Sequence, residues 1–273
     1  MTINCNGTLI DISLPKVMGI VNVTPNSFYD GGKHTEINTI IRLVDKMLSD
    51  GADIIDIGAY SSKPSAEFVP EFEETNRLKV VIKELITTFP NIVLSVDTFR
   101  ASVAKSAVEQ GVAMVNDISA GWLDEQMMPT VAELKVPYIM MHMRGTPQTM
   151  QSLTQYDDVV KEMLFYFSER IQKARSYGIS DLIIDPGFGF AKSLEQNYEV
   201  LSKLELFKQL DLPILTGVSR KSMIYKVLEI TAQEALNGTS IIHTIALQKG
   251  ANILRVHDVK EAVECVKLFS QLQ

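Results

Sequence analysis

The sequence predicts an α/β protein built as a (β/α)₈ TIM barrel, on three observations. Eight short apolar runs of the kind found in strands buried on both faces are spread along the chain. Amphipathic helical patterns lie between these runs. The eight repeats together occupy roughly 250 residues, the usual size of such a barrel. The chain has 273 residues, is 46% hydrophobic and contains no linker or low-complexity stretch. We therefore expect one domain that covers residues 1–273.

The chain opens with a predicted β-hairpin that precedes the first buried strand. Asn6 and Gly7 lie between two short alternating runs within the stretch Ile3–Ile12. An Asn-Gly pair in this setting is the strongest local signal for a two-residue hairpin turn. Because the hairpin comes before the barrel strands, we expect it to close the bottom of the barrel.

Strands and helices are predicted to alternate through the rest of the chain. The predicted strands are Val17–Val23, Ile54–Gly58, Ile92–Asp97, Val112–Ile118, Val136–His142, Leu182–Asp185, Pro213–Val218 and Asn252–His257. The predicted helices include Glu36–Ser49, Glu71–Thr88, Ala101–Glu109, Asp158–Ser176, Glu195–Leu204, Glu234–Gln248 and Val259–Gln271. A doubly wound open sheet is the alternative arrangement, but no G-x-G-x-x-G fingerprint follows the first strand.

Each predicted strand ends in polar or charged residues, although its interior is apolar. Burying such groups without partners costs several kcal/mol. The carboxyl ends of all eight strands of a barrel face one shared site. A structural hydrogen bond would explain one polar strand end, but eight of them indicate a ligand site. The strand-end residues are Asn22, Asp56, Gly58, Asp97, Asn116, Asp117, His142, Asp185, Ser219, Arg220, Lys221, Arg255 and His257.

Part of this set is suited to a flat heterocycle. Asp97, Asn116 and Asp185 offer carboxylate and amide groups that can bind ring N–H and amino groups. Met141 and Phe190 can supply apolar surfaces against the two faces of a ring. The sequence therefore predicts a site that reads the polar edge of a planar ligand.

A second part of the set is basic, in a chain whose net charge is −7. This cluster suits a phosphate or diphosphate, beside which Asn22 and Asp30 can bind Mg²⁺. A glycosidase is a weak alternative because a pair of glutamates is absent. A serine nucleophile at Ser219 or Ser222 has no obvious His–Asp partner order. The basic residues are Arg220, Lys221, Arg255 and His257.

Composition excludes several classes of partner. The acidic net charge argues against a surface for nucleic acid or for an anionic membrane. Cys5 and Cys265 lack a metal-ligand spacing and are typical of free thiols in a reducing compartment. The sequence has no signal peptide and no apolar run that could span a bilayer. We expect a soluble cytoplasmic protein.

Seven motifs resemble those of the dihydropteroate synthase family, in the same order and spacing. They span Val17 to Asp258 and read MGIVNVTPNSFYDGG, SVDT, NDIS, MHMRGTP, DPGFGF, SRKS and RVHD. The resemblance implies a transferase of folate biosynthesis. Its reaction would join 6-hydroxymethyl-7,8-dihydropterin diphosphate to 4-aminobenzoate, giving 7,8-dihydropteroate and diphosphate. It also implies a homodimer and a dissociative mechanism, in which diphosphate leaves before the arylamine attacks.

The resemblance assigns roles to matching positions. The residues implied for the pterin diphosphate are Ser62, Asp97, Asn116, Met141, Asp185, Phe190, Gly217, Lys221, Arg255 and His257. Those implied for 4-aminobenzoate are Phe28, Lys63, Pro64 and Ser222, and those for Mg²⁺ are Asn22 and Asp30. Lys221, Arg255, His257 and Asp97 are the implied catalytic residues.

The chain departs from the family pattern in its first two loops. Asn26 replaces a common Asp, and residues 61–65 read SSKPS where the family usually has Ser-Thr-Arg-Pro-Gly. Two rival functions remain, a methyltetrahydrofolate-type methyltransferase barrel and a non-catalytic pterin-binding relative. The first would not need the SRKS and RVH clusters that suit a diphosphate. The second would be expected to lose Asn22, Lys221 or His257, all of which are present.

Overall fold

The structure is a computed structural model that describes residues 1–23, 33–60 and 69–272. Its ten strands are β1 Thr2–Cys5, β2 Thr8–Asp11, β3 Lys16–Asn22, β4 Ile54–Gly58, β5 Leu94–Asp97, β6 Met114–Asp117, β7 Tyr138–Met141, β8 Leu182–Asp185, β9 Leu215–Thr216 and β10 Ile253–Val256. Strands β3–β10 form one parallel sheet in the order β8-β7-β6-β5-β4-β3-β10-β9. A parallel bridge between Ile184 and Ile214 joins the two outer strands and closes the sheet. The predicted barrel is confirmed.

Helices follow the barrel strands along the chain and cover the barrel. They are α1 Lys33–Ser49, α2 Glu71–Thr88, α3 Ala101–Glu109, α4 Met127–Leu134, α5 Val159–Ser176, α6 Leu194–Ser202, α7 Ser222–Leu228, α8 Leu236–Gln248 and α9 Val259–Phe269. All seven helical patterns named from the sequence contain a helix. Among the described residues, no helix is long and apolar enough to cross a membrane.

The sequence patterns did not identify α4 and α7. Pro129 lies in the first turn of α4, where a missing N–H costs no intrahelical hydrogen bond. A proline inside a short apolar segment nevertheless argues against a helix when only the pattern is read. The seven-residue α7 begins within the polar SRKS motif and is too short to show a periodic face.

Several predicted strands and helices were longer than the observed ones, for local reasons. The strand predicted from Ile92 begins at Leu94, because the N–H of Ile92 donates to Phe89 O at 3.0 Å in the preceding turn. The helix predicted from Glu234 begins at Leu236, because the carboxylate of Glu234 accepts from the N–H and hydroxyl of Thr231.

The N-terminal hairpin closes the bottom of the barrel, as predicted. Asn6 and Gly7 both have positive φ, 50° and 89°, which fits the primed turn that Asn-Gly favours. The buried hairpin side chains form a core with residues from the lower half of the barrel strands. That core contains Ile3, Cys5, Ile12, Met18, Ile54, Ala113, Met114, Ile139, Ile183, Leu215 and Ile253. The hairpin also donates from Asn4 N to Asp181 Oδ2 at 3.1 Å, just before β8 begins.

Candidate active site

Four polar side chains meet inside the barrel below its mouth, and we call them the inner network: Asp56, Asp97, Asn116 and Arg255. They come from four strands, whose alternation turns these side chains inward. The guanidinium of Arg255 donates from Nε to Asp56 Oδ2 and from Nη2 to Asp97 Oδ2, both at 2.6 Å. The amide of Asn116 donates to the same Asp56 oxygen at 3.0 Å. The Asp56 carboxylate therefore fixes the positions of both the Arg255 guanidinium and the Asn116 amide.

The inner network is strongly desolvated. Asp56 is 0% exposed, and its Oδ1 has no hydrogen-bond partner among the described residues. Burial raises the pKa of Asp97 to about 7, although the neighbouring Arg255 acts in the opposite direction. Burial opposes the charge of Arg255, but Asp56 and Asp97 together raise its pKa above the ordinary value. Two carboxylates facing one guanidinium leave hydrogen-bond acceptors for a ligand that carries N–H groups.

Gly58 and Asn22 lie opposite each other at the carboxyl ends of β4 and β3. A Cβ on Gly58 would lie 3.2 Å from Cβ of Asp97, so glycine leaves the space that the Asp97 side chain occupies. Asn22 is exposed at this rim. Asp30, its predicted partner in binding Mg²⁺, lies outside the described residues.

A second group surrounds the loop that follows β8. Oδ1 of Asp185 accepts from the N–H of Gly187 at 2.8 Å. The ammonium of Lys221 donates to Phe188 O and lies 4.8 Å from the ring centroid of Phe190. Burial raises the pKa of Asp185 and lowers that of Lys221 to about 8, and each group partly opposes the shift of the other. A Cβ on Gly217 would lie 3.8 Å from this ammonium, so Gly217 also borders the group.

An apolar wall accompanies these polar groups. Met141, at the end of β7, is buried in a small cluster against which Phe190 packs. The cluster also contains Ile118, Met143, Met150 and Ala191. A thioether and an aromatic ring beside buried hydrogen-bond acceptors are the surroundings that a planar heterocycle requires.

His257 and Ser219 form the third part of the rim. The Ser219 hydroxyl oxygen accepts from the backbone N–H of His257 at 3.2 Å and lies 3.1 Å from its Nδ1. We assign the Ser219 hydroxyl as the donor to Nδ1, an assignment that places the ring proton on Nε2. Burial and the charge of Arg255 lower the pKa of His257, which favours the neutral ring.

The structure corrects the predicted role of Arg220. Its guanidinium forms a bidentate ion pair with Asp258, at 2.8 and 2.9 Å, and donates to Ala232 O at 3.0 Å. Its backbone is in the left-handed region, with φ of 53°. Arg220 is therefore bound to the loop before α8 and to the start of α9, and the basic part of the site consists of Lys221, Arg255 and His257.

The other predicted residues divide by location. Ser222 is half-buried at the first position of α7, directly after Lys221. Phe28, Ser62, Lys63 and Pro64 lie outside the described residues. The sequence analysis placed Asp56 and Ser219 at strand ends without giving either residue a binding role. The sequence signal for both was their position at a strand's carboxyl end.

Comparisons with known proteins agree on one family. A sequence model described as "Pterin binding enzyme" matches residues 18–257. The chain is 41% identical over 271 residues to the dihydropteroate synthase of Escherichia coli strain K12, covering 98% of this chain and 95% of that one. Two solved structures cover 100% of this chain and 99% of their own. They are the Yersinia pestis dihydropteroate synthase in a sulfonamide drug complex, at TM-score 0.93 and 38% identity, and that of Xanthomonas albilineans in complex with 7,8-dihydropteroate, at 0.88 and 37%.

Proposed function

This chain belongs to the family of pterin binding enzymes, and we propose that the mouth of its barrel performs the dihydropteroate synthase reaction with the residues described above. The reaction is a transfer that joins a dihydropterin methyl diphosphate to 4-aminobenzoate and releases diphosphate. One observation carries the assignment of residues to it. The inner network, Asp185, Lys221 and His257 converge at the carboxyl ends of the strands, where barrel enzymes bind their substrates.

The pterin ring binds between the inner network and the loop after β8. Asp97 and Asp185 accept hydrogen bonds from ring N–H and amino groups, while Asn116 can both donate and accept. Lys221 donates to a ring acceptor, and its charge favours the ionised form of Asp185. Met141 and Phe190 contact the faces of the ring. Oδ1 of the buried Asp56 has no partner in the described part of the chain, which supports this arrangement because a ligand rich in donors can satisfy it.

The diphosphate lies at the rim, where Arg255 and His257 stabilise the charge of the leaving group. Asn22 fits a Mg²⁺ site, since Mg²⁺ takes few protein oxygens and completes its shell with water and substrate phosphates. We assign Asn22 and Asp30 to this ion. When bound, Mg²⁺ would supply additional positive charge to the leaving diphosphate.

The two bond changes occur in sequence. The bond between the pterin methylene carbon and the diphosphate oxygen breaks, and its electron pair leaves with diphosphate. The amino nitrogen of 4-aminobenzoate then donates its lone pair to that carbon and releases one proton to solvent. No strong base is required, because the carbon is already cationic. We assign Phe28, Lys63, Pro64 and Ser222 to the binding of 4-aminobenzoate.

We also propose that the chain acts as one domain and as a cytoplasmic homodimer. Exposed apolar side chains lie on three helices that pack side by side, Leu228 on α7, Ile241 on α8 and Leu268 on α9. Apolar side chains left exposed on adjacent helices suit a symmetric self-contact. Light scattering should give a dimer for the wild type and a monomer for Ile241→Glu. A monomeric wild type would exclude the dimer.

A coupled diphosphate-release assay tests the reaction itself. Diphosphate and dihydropteroate should form in equal amounts when both substrates and Mg²⁺ are present. A methyltransferase barrel would release no diphosphate, and a non-catalytic relative would bind the pterin without turnover. Either result would exclude the proposed reaction.

A further inference from the structure

Lys192 is a buried lysine that the reaction described above does not use. It directly precedes Ser193, the N-cap residue of α6, and is only 7% exposed. Its ammonium lies 3.0 Å from Gly187 O, 3.1 Å from Phe190 O and 3.1 Å from Nδ1 of His142. An ammonium has three N–H donors, so each donor has one acceptor. Lysine is rarely buried unless its charge is paired, so a buried lysine at this position indicates more than space filling.

Two of the three acceptors of Lys192, Gly187 O and Phe190 O, belong to the loop that presents the proposed pterin ligands. Gly187 accepts from Lys192 with its carbonyl oxygen and donates to Asp185 Oδ1 with its own backbone N–H. The oxygen of Phe190 is bound by Lys192, and the Phe190 ring lies below the ammonium of Lys221. Two hydrogen bonds through Gly187 therefore link Lys192 to Asp185, and one hydrogen bond links it to the backbone that carries the Phe190 ring.

The loop has little freedom to adopt another path. Gly187 has φ of 67°, and a Cβ there would lie 2.3 Å from the backbone oxygen of His142. The N–H of Gly189 donates to Asn197 Oδ1 at 2.6 Å, which ties the same loop to α6. Lys192 also joins the loop to the end of β7, through the contact of its ammonium with Nδ1 of His142.

The charge of Lys192 also acts on the site. Its ammonium favours the ionised form of Asp185, although burial raises the pKa of that carboxyl group. Asp185 in turn opposes the effect of burial, which lowers the pKa of Lys192 to about 7. Burial and Lys192 keep the pKa of His142 well below its usual value, so its neutral ring can accept at Nδ1.

We propose that Lys192 is a positioning residue for the pterin: it sets the carboxylate of Asp185 and the ring of Phe190 in the geometry that binds the heterocycle, without touching the ligand. The proposal rests on the proposed function, because it concerns binding at the same site. Its specific consequence is a defect in pterin binding that leaves 4-aminobenzoate binding unchanged.

The variant Lys192→Met tests this, since Met retains most of the side-chain length and loses the charge and donors. Calorimetry with 6-hydroxymethyl-7,8-dihydropterin, which lacks the diphosphate, should show affinity weakened by about tenfold or more, the effect of losing a charged donor. The KM for 4-aminobenzoate at saturating pterin diphosphate should stay within about twofold, because that step does not use Lys192. Lys203→Met is the matched control, as Lys203 follows α6 and forms an exposed pair with Glu199.

Unchanged pterin affinity in folded Lys192→Met would overturn the proposal, because the loss of a purely structural lysine would lower stability without changing affinity. An equal loss for both substrates would also overturn it. If Lys192→Met does not fold, Lys192→Gln retains two donors without the charge and should weaken pterin binding in the same direction. Wild-type protein that binds no pterin would instead contradict the proposed function, and with it this inference.

Discussion

Oδ2 of Asp56 accepts a hydrogen bond from Nε of Arg255 at 2.6 Å inside the barrel. Because Asp56 is fully buried, its carboxylate and the guanidinium compensate each other's desolvation. Asp56→Asn should lower the free energy of unfolding by about 2 kcal/mol, less than the full loss of a buried partner because Asp97 still pairs with Arg255. It should also reduce kcat/KM by about tenfold or more, as Arg255 and Asn116 lose their fixed positions.

The matched control is Glu205→Gln, which makes the same chemical change in an exposed pair with Lys249. Exposed pairs contribute less than about 1 kcal/mol, so its stability and kinetics should remain near those of the wild type. Chemical denaturation and steady-state kinetics measure both quantities. If Asp56→Asn is as active as the control, Asp56 does not position the site.

Two aspartates at opposite ends of β8 are expected to have different roles, one in pterin binding and the other in stability. Asp185 ends the strand at the barrel mouth, whereas Asp181 precedes it and accepts from Asn4 N in the hairpin. Asp185→Asn should weaken pterin binding by roughly 1–3 kcal/mol, because a buried acceptor is replaced by an amide. Asp181→Asn should lower the unfolding temperature without changing that affinity. Calorimetric titration of both variants checks this, and equal affinities would remove Asp185 from the pterin site.

The pH dependence of kcat/KM should be bell-shaped. Asp97 binds the pterin as a carboxylate, so activity should fall as pH decreases below its pKa of about 7. Lys221 acts as an ammonium, so activity should fall as pH increases above its pKa of about 8. Asp97→Asn should lose the acidic limb and Lys221→Met the alkaline limb. An acidic limb that persists in Asp97→Asn would come from another group, such as the substrate diphosphate.

The N-terminal hairpin should contribute stability and leave catalysis unaffected. Ile3 is 2% exposed in the core below the barrel, while Leu9, on the second strand of the hairpin, is 70% exposed. Ile3→Ala should lower the free energy of unfolding by about 3 kcal/mol. Leu9→Ala should change it by less than about 0.5 kcal/mol. Neither substitution should change the KM of folded enzyme for either substrate, since the hairpin lies at the end of the barrel away from the site. A changed KM in Ile3→Ala would show coupling through the barrel.

The sequence was sufficient to predict which end of the barrel carries the site, because a parallel strand fixes the location of its last residue. It was not sufficient to predict the partner of each side chain. Arg220 and Arg255 both follow apolar runs, yet one pairs with Asp258 outside the site and the other with Asp56 inside it. Pairing depends on local backbone conformation and on residues distant in sequence. Lys192 shows the same limit, because a lysine after a glycine-rich loop is usually exposed.

His257 contacts Ser219 through Nδ1, and we therefore assign the proton of its neutral ring to Nε2. That donor can stabilise the leaving diphosphate, where negative charge grows in the transition state. His257→Ala should therefore lower kcat by about tenfold or more, while calorimetry with the pterin alcohol shows unchanged affinity. Ser219→Ala removes the group that fixes the ring and should lower kcat in the same direction by a smaller factor. Pterin alcohol affinity that falls as much as kcat would place His257 at the ring of the pterin, and unchanged kcat would remove it from the reaction.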